Sequence, residues 1–330
     1  MIRTVHPAGD LAIETAGLTK TYANGVTAVD DLSLSAVRGE VFGLLGPNGA
    51  GKSTTIKILT TLARPDAGSA RVAGFDVVRK VREVRRLIGV VSQHSGTDPA
   101  ATAIENLRLQ GRLYGLTGDE LKSRIGQLLD RFELAEAARR PVKTFSGGMR
   151  RRLDIALGVI HRPLVLFLDE PTTGLDPEAR SAMWREIEEL AGDGVTVLLT
   201  THYLDEADRL ADRLALIDNG RLVVAGTPDE LKSQLSGDAI HIELAPGHRP
   251  PGEAAALLGA IPELGDIAME HRRLSARVAH GGVALPAALS ALDRAGIDVV
   301  SATIARPSLD DVYLKHTGHS FAGAGREDAA

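Results

Sequence analysis

The run from Gly46 to Thr54 limits what this chain can fold into more than any other segment. It reads Gly-Pro-Asn-Gly-Ala-Gly-Lys-Ser-Thr and directly follows the apolar residues Val41–Leu45. Because glycine has no Cβ, such a loop can turn successive backbone N–H groups inward toward a polyphosphate. Lys52 can reach the β- and γ-phosphates, and the Ser53 hydroxyl can bind Mg²⁺. The sequence therefore predicts a strand, a phosphate-binding loop and a helix over residues 52–62 whose N-terminus faces the same anion.

The residues predicted to contact the phosphates are those of the loop itself. In chain order they are Gly46, Pro47, Asn48, Gly49, Ala50, Gly51, Lys52, Ser53 and Thr54. The alternative is a glycine-rich turn that only caps a helix. The apolar strand before the loop and the helix-forming run after it favour phosphate binding, because a phosphate loop requires both.

Composition places the chain among ordinary globular proteins. It has 330 residues, enough for two domains, and 44% of them are hydrophobic and 25% charged. The net charge of −5, with acids and bases interspersed, argues against general nucleic-acid binding. The absence of cysteine excludes disulfides, thiolate metal sites and a cysteine nucleophile.

Two observations concern membranes. Residues 1–10 contain Arg3, His6 and Asp10 and no continuous apolar run, so we expect no secretory signal and a cytosolic location. Apolar runs such as Leu164–Leu168 have the length of a strand, far short of the roughly 20 residues that cross a bilayer. We therefore expect any membrane role to come through a partner.

Strand-like and helix-like segments alternate along residues 11–236. Strands are expected at 40–45, 88–91, 164–168, 195–200 and 214–217, and helices at about 177–190 and 204–211. Between about 95 and 160 the apolar spacing becomes helical, which indicates a helical insertion. This alternation predicts an α/β domain with a parallel sheet.

The pattern changes after residue 236. Residues 237–318 read as strand, helix, strand, strand, helix and strand, with a further helix that Ser308 can cap. This order predicts a small α+β domain of ferredoxin-like topology. We expect residues 1–10 to be an N-terminal extension and residues 319–330, which are small and polar, to be a disordered tail.

The strand expected at 164–168 ends in Asp169 and Glu170. Beside a phosphate loop, Asp169 would hold Mg²⁺ through water and Glu170 would polarise the attacking water. Acids also follow apolar strands that simply leave a core. The phosphate loop upstream favours the catalytic interpretation.

A second helix N-terminus with exposed amides is predicted at Ser146-Gly147-Gly148, where another phosphate could bind. The alternative is an ordinary serine cap followed by two permissive glycines. The run Arg150–Arg152 that follows is interpreted as a solvated helix face rather than a nucleic-acid contact.

Together these motifs resemble the ATP-binding subunits of ABC transporters. The resemblance covers about residues 11–235 and is carried, in order, by the phosphate loop, Gln93, Phe145–Met149, Leu164–Glu170, Gly174–Asp176 and His202. It implies a P-loop ATPase that binds ATP and Mg²⁺ and forms a homodimer on ATP binding. In such a dimer, ATP lies between the phosphate loop of one subunit and the Ser-Gly-Gly helix of the other.

The resemblance also implies roles for individual residues. Catalysis would depend on Lys52, Glu170 and His202, and the metal site would be formed by Ser53, Gln93 and Asp169. Tyr22 would stack on adenine, and Asp176 would lie at the joint between the subunits. Ser146, Gly147 and Gly148 would bind the ATP held by the other subunit.

The usual signature of this family is Leu-Ser-Gly-Gly-Gln, and the residues that differ from it here are similar to one branch of the family. Phe145 and Met149 stand at the two ends of the signature. The daunorubicin-resistance type is similar to this chain in Ser-Gly-Gly-Met followed by Arg-Arg-Arg-Leu-Asp-Ile-Ala. It is also similar in Leu309–Leu314 and Thr317-Gly318. This implies a peripheral subunit on the cytoplasmic side of the membrane. It would energise export of a hydrophobic drug or antibiotic through a separate integral membrane permease.

Three alternatives are weighed against the sequence. Export of a glycan, lipid or peptide fits the same motifs. A soluble ABC ATPase that acts on ribosomes or DNA would be expected to carry two nucleotide domains or a long coiled-coil insertion, and neither is visible. A regulatory GTPase would need an Asn-Lys-x-Asp motif, which the chain lacks.

Overall fold

The computed structural model describes residues 11–235, 237–246, 251–262, 264–305, 307–319 and 321. The extension expected at 1–10 and nearly all of the tail expected at 319–330 lie outside this part of the chain. The chain forms two compact units, Met1–Thr227 and Pro228–Ala330. The division falls before the expected boundary at 236–237, because the helix Pro228–Ser233 packs against the helix Leu309–Thr317 of the second unit.

The strands in chain order are β1 (Leu11–Thr21), β2 (Thr27–Val37), β3 (Val41–Leu45), β4 (Ala67–Val72), β5 (Phe75–Asp76), β6 (Ile88–Val91), β7 (Val165–Asp169), β8 (Thr196–Thr201), β9 (Arg213–Asp218), β10 (Arg221–Gly226), β11 (Asp238–Leu244), β12 (Leu264–Glu270), β13 (Arg273–Val278) and β14 (Val299–Ala305). The α-helices are α1 (Lys52–Leu59), α2 (Val81–Leu87), α3 (Ala103–Leu113), α4 (Gly118–Arg131), α5 (Gly147–Val159), α6 (Pro177–Gly192), α7 (Leu204–Leu210), α8 (Pro228–Ser233), α9 (Pro251–Gly259), α10 (Gly281–Arg294) and α11 (Leu309–Thr317). Across the described residues, no helix combines the length and apolar character needed to span a membrane.

The first unit is built around a six-stranded sheet in the order β10-β9-β3-β8-β7-β6. Neighbouring strands from β9 to β6 run parallel, and β10 pairs antiparallel with β9 across the turn Asn219-Gly220. Both turn residues have positive φ, 46° and 78°, as a tight hairpin requires. Strands β3 and β8 are buried along their whole length, because helices or strands cover both faces of a parallel sheet. The predicted parallel α/β fold is confirmed.

A second, antiparallel sheet has the order β2-β1-β4-β5. Strand β1 extends to Thr21, farther than the apolar run Leu11–Ile13 predicts. Buried Thr15 explains part of this extension, because its hydroxyl donates to the Leu32 carbonyl at 3.1 Å and accepts from the Leu34 N–H at 2.9 Å. A polar residue is thus accommodated inside the sheet by cross-strand hydrogen bonds.

Two hydrophobic clusters hold the first unit together. One is shared by the antiparallel sheet, α1 and one face of the six-stranded sheet, and includes Ile13, Phe42 and Ile58. The other joins the opposite face of the six-stranded sheet to α3, α4, α5 and α6. The insertion expected at 95–160 is helical and shares this second core with the sheet. Helix α1 ends at Leu59 rather than near residue 62, because Thr61 takes a left-handed conformation with φ of 66°.

The second unit contains a four-stranded antiparallel sheet in the order β12-β13-β11-β14. Apolar residues of α9 and α10 pack on it around Ile240, Leu258 and Leu292. The element order strand, helix, strand, strand, helix, strand and this strand arrangement agree with the predicted ferredoxin-like topology.

A capping box fixes the start of α11. The Ser308 N–H and hydroxyl donate to Asp311 Oδ2 at 2.8 and 2.7 Å, and the same oxygen lies 3.3 Å from Arg277 Nη2. Replacing Asp311 with alanine keeps the Ser308 hydroxyl as a cap for the N–H of residue 311, but removes the carboxylate half of the box and leaves the Arg277 charge without this partner. We expect the free energy of unfolding of the second unit to fall by about 2–4 kcal/mol, measured by urea denaturation. The same substitution at exposed Asp293 in α10 is the control, and an equal loss in both variants would contradict this explanation.

Candidate active site

Four adjacent parallel strands bring the chemical motifs of the first unit to one edge of its sheet. The phosphate loop follows β3, His202 follows β8, Asp169 ends β7, and Gln93 follows β6. Carboxyl ends of neighbouring parallel strands meet at the same edge, where α/β proteins bind their ligands. Here they border an open cleft of about 710 Å³, whose lining includes Asn48 to Thr54, Gln93, Glu170 and His202.

Glycine is required at two positions of the loop. Gly51 has φ of 98°, and a Cβ added there would lie 2.1 Å from the Ala28 carbonyl oxygen. A Cβ on Gly46 would lie 2.5 Å from the Ile217 carbonyl oxygen. The loop therefore packs directly against backbone, and Asn48 to Thr54 line the cleft at the start of α1.

Lys52 is buried at the base of the loop. Its Nζ donates to the Gly46 and Pro47 carbonyl oxygens at 2.7 and 2.9 Å and lies 3.8 Å from Glu170 Oε1. Burial lowers the pKa of the Lys52 ammonium from its ordinary value, and the carboxylates of Glu170 and Asp169 oppose that shift. The ammonium is thus held at the base of the loop by two of the loop's carbonyl oxygens.

Oxygen atoms suited to a hard cation gather next to the loop. The Ser53 hydroxyl donates to Asp169 Oδ1 at 3.2 Å, and the Thr200 hydroxyl donates to the same oxygen at 2.6 Å. Hydroxyl and carboxylate oxygens fit Mg²⁺, which commonly keeps several waters and takes further ligands from phosphates. Among the described residues there is no cluster of three His, Cys, Asp or Glu side chains that would hold a metal without such help.

Glu170 lies at the centre of a polar network. Its backbone is left-handed, with φ of 47°, and its N–H donates to the Thr200 hydroxyl at 3.0 Å. Its carboxylate accepts from the Thr173 hydroxyl at 3.2 Å and from the Gln93 amide at 3.5 Å, and lies 3.2 Å from His202 Nδ1. Three side chains therefore fix the orientation of the carboxylate, which lines the cleft.

The mouth of the cleft carries the predicted aromatic residue. Tyr22 follows β1, is 38% exposed, and its hydroxyl lies 3.3 Å from the Thr54 hydroxyl. Asn24, Val26 and Ala28 line the same side. These three residues carry no motif, so sequence reasoning missed them.

Ser146, Gly147, Gly148 and Asp176 are not among the described residues that line the cleft. Ser146 and Gly147 are exposed at the start of α5, and the Ser146 hydroxyl accepts from the Met149 N–H at 3.2 Å. Asp176 caps α6 by accepting from the Ala179 N–H at 2.8 Å. The Ser146 hydroxyl and the Asp176 carboxylate therefore act as helix caps within the single chain. The single chain does not bring these residues to its own phosphate loop.

The run Arg150–Arg152 differs from the solvated face expected from sequence. Arg151 is only 8% exposed, because its guanidinium donates to backbone carbonyls at the ends of β6 and β7. Burial lowers the pKa of Arg151 from its usual value. A run of like charges does not show which member faces inward, so the sequence held no signal for this contact.

A glycine-rich phosphate loop on a parallel sheet, with two acids at the end of a nearby strand, defines a P-loop nucleoside triphosphatase. Residues 29–173 match the ABC transporter family. Residues 226–317 match the family described as ATP-binding protein DrrA1-3-like, C-terminal domain.

Relatives agree with both matches. The daunorubicin/doxorubicin resistance ATP-binding protein of Streptomyces peucetius is 48% identical, over 97% of this chain and 96% of its own length. A Nod factor export ATP-binding protein of Sinorhizobium fredii is 41% identical, over 94% of this chain and 88% of its own. A solved dimeric ATP-binding cassette in a post-hydrolysis state with ADP and phosphate is 27% identical, with a TM-score of 0.60 over 65% of this chain and 98% of that one. The chain belongs to the ATP-binding subunits of ABC transporters, in the daunorubicin-resistance type, and is an ATPase.

Thr200 supports both acids with one hydroxyl, which no motif predicts. Replacing it with valine keeps the side-chain shape and removes the hydrogen bonds to Asp169 and Glu170. We expect kcat for ATP to fall by about 10–10²-fold with little change in KM, because the acids lose their alignment while the phosphate loop is untouched. Thr196→Val at the other end of β8 is the matched control for steady-state ATPase kinetics. Native kcat in Thr200→Val would show that the hydroxyl does not position the acids.

Proposed function

We propose that this chain binds MgATP in the cleft, dimerises around it, and uses its hydrolysis to drive export of a hydrophobic drug or antibiotic through a separate membrane permease. The observation that carries the proposal is the division of the site: the phosphate loop and acids share one cleft, while Ser146 and Gly147 are exposed elsewhere. The daunorubicin/doxorubicin resistance relative supports the choice of cargo.

In the proposed reaction, Glu170 orients the attacking water and accepts its proton. Lys52 would stabilise the β- and γ-phosphate oxygens, and His202, whose Nδ1 lies 3.2 Å from Glu170 Oε1, would contact the γ-phosphate. Ser53 and Asp169, with Gln93 nearby, would hold Mg²⁺. When bound, Mg²⁺ offsets the charge that develops on the transferred phosphoryl group.

The adenine would stack on Tyr22 at the mouth of the cleft, since the exposed ring stands beside Thr54 at the end of the phosphate loop. The remaining contacts would come from a second copy. Ser146, Gly147 and Gly148 present the amides of an N-terminal helix turn, which suit a γ-phosphate, and Asp176 would lie at the joint. The dimeric relative with ADP and phosphate supports this arrangement.

An exposed apolar groove on the first unit supports a permease partner. It has a volume of about 280 Å³ and is lined in part by Leu62, Val90 and Tyr114. Helix α3, which forms one wall, also carries Leu109 and Leu113, which are 61% and 72% exposed. Exposed apolar side chains in a cluster mark protein interaction sites. The permease would dock here, with this subunit peripheral on the cytoplasmic side of the membrane.

A different cargo, a glycan, lipid or peptide, is the second candidate. The observation that favours it is the relative named for Nod factor export, which is 41% identical over 94% of this chain. No nucleic-acid partner is proposed, because the net charge is −5 and buried Arg151 does not offer its guanidinium to a phosphate backbone.

Drug accumulation in cells that express this chain with its neighbouring permease tests the proposal. Native chain and Lys52→Ala are compared for anthracyclines and for unrelated hydrophobic compounds. We expect accumulation of at least one drug to fall with the native chain and not with Lys52→Ala. Unchanged accumulation for every compound, with ATPase activity intact, would remove drug export and leave another cargo.

A further inference from the structure

One face of α5, one turn after Gly147, is hydrogen-bonded to two segments of the cleft. One follows β7 and carries the acids, and the other follows β6 and carries Gln93. The Arg151 guanidinium donates to three carbonyl oxygens: Nε to Pro171 at 2.8 Å, Nη1 to Ser92 at 2.6 Å and Nη2 to Asp169 at 3.0 Å. Its planar fork fits three acceptors in fixed directions, which a lysine ammonium would not reproduce. Arg151 therefore ties α5 to the ends of β6 and β7.

Asp154, on the same face of α5, accepts hydrogen bonds from the residues that follow Gln93, whereas Arg151 contacts Ser92 before it. Its Oδ1 accepts from the Ser95 hydroxyl at 2.7 Å and from the Gly96 N–H at 3.3 Å, and the residue is 7% exposed. Burial raises the pKa of the Asp154 carboxyl from its ordinary value, and the Ser95 bond and the Arg151 charge oppose that shift. Gln93 thus lies between two points that are attached to α5.

Burying the charges of Arg151 and Asp154 carries a desolvation penalty. Apolar residues of similar volume would pack α5 against the sheet without that penalty. Arg151 and Asp154 direct their hydrogen bonds to the end of β7 at Asp169 and to the neighbours of Gln93, two segments that belong to the proposed MgATP site. Because a helix turn is stiff, movement of these segments would displace the start of α5, where Ser146 and Gly147 are exposed and Gly148 is half-buried.

We infer that Arg151 and Asp154 are positioning residues that couple the nucleotide state of the cleft to the presentation of Ser146, Gly147 and Gly148 toward a second copy. This inference rests on the proposed dimer. It differs from a packing role, because coupling residues set dimer closure and turnover while the phosphate loop of the single chain keeps its affinity for ATP.

The test is Arg151→Lys, which keeps the positive charge but loses the planar guanidinium that donates to three carbonyl oxygens. Exposed Arg150→Lys on the same helix is the matched control. We expect kcat to fall by about 10²-fold, with ATP affinity of the single chain within about twofold of native. In a Glu170→Gln background, we expect MgATP-dependent dimerisation to weaken by about tenfold, measured by sedimentation. Native kcat and native dimerisation in Arg151→Lys would overturn the inference, as would equal losses in kcat, dimerisation and single-chain ATP affinity.

A second variant covers failure of Arg151→Lys to fold. Ser95→Ala removes one exposed hydroxyl from the Asp154 contact, so the fold is expected to persist. We expect it to lower kcat and dimerisation by about two- to tenfold, the effect of losing the hydrogen bond to Asp154, since the other contacts of the Ser95 hydroxyl, to the Thr97 hydroxyl and N–H, lie within its own loop. Unchanged kcat and dimerisation in this variant would overturn the inference. If Glu170→Gln with native Arg151 does not dimerise with MgATP, the proposed dimer itself fails, which is a separate result.

Discussion

Replacing Glu170 with glutamine is expected to leave MgATP bound and to lower turnover by about 10²–10⁴-fold. Glutamine keeps the shape and one oxygen, so Thr173 and Gln93 retain a partner for their hydrogen bonds. The amide cannot accept a proton from water, and the attack on the γ-phosphate loses its base. ATP binding by equilibrium dialysis and single-turnover phosphate release measure the two effects separately.

The control for this substitution is Glu178→Gln, because Glu178 is exposed in the first turn of α6. It should hydrolyse ATP at the native rate. Native turnover in Glu170→Gln would remove Glu170 from the catalytic role and direct attention to another group at the γ-phosphate.

Lys52→Ala is expected to lose both ATP affinity and hydrolysis. The substitution removes an ammonium that is 5% exposed and lies against the loop carbonyls, so the phosphates lose a charge-assisted contact in a water-poor site. One such contact contributes about 1.5–3 kcal/mol, which corresponds to about 10–10²-fold in Kd. The loss of kcat adds to this, because Lys52 also faces the charge that develops on the γ-phosphate.

Exposed Lys57 in the same helix gives the matched control. Lys57→Ala should bind and hydrolyse ATP like the native chain, as followed by calorimetry and phosphate release. Equal affinity in Lys52→Ala and Lys57→Ala would mean that the loop amides alone bind the phosphates.

Much of the active site could be predicted because its residues follow strands. Gly46 to Thr54 come after β3, Asp169 and Glu170 after β7, and His202 after β8, and a parallel sheet places all three strand ends at one edge. The apolar runs identify these strands without tertiary information. Gly51 was predictable from the phosphate-loop pattern, and its φ of 98° and the 2.1 Å between an added Cβ and the Ala28 carbonyl oxygen give the physical reason.

Other features depend on tertiary contacts that spacing does not record. Thr200 is one of several threonines in β8, and only the pairing of β8 with β7 places its hydroxyl 2.6 Å from Asp169. The burial of Arg151 does not follow from sequence, because its neighbours Arg150 and Arg152 share its charge and only the direction of one side chain decides which is buried. The start of the second unit at Pro228 also depends on a tertiary contact. The packing of α8 on α11 joins segments about 80 residues apart in the chain.

The most direct test of the account is the mass of Glu170→Gln in solution with and without MgATP. We expect the mass of one chain, 34.9 kDa, without nucleotide and twice that mass with MgATP, by light scattering after gel filtration. Ser146→Glu in the same background should stay a single chain while it still binds ATP, because the added carboxylate would face the γ-phosphate. A Glu170→Gln chain that binds MgATP and keeps the mass of one chain would contradict the claim that two copies share each site.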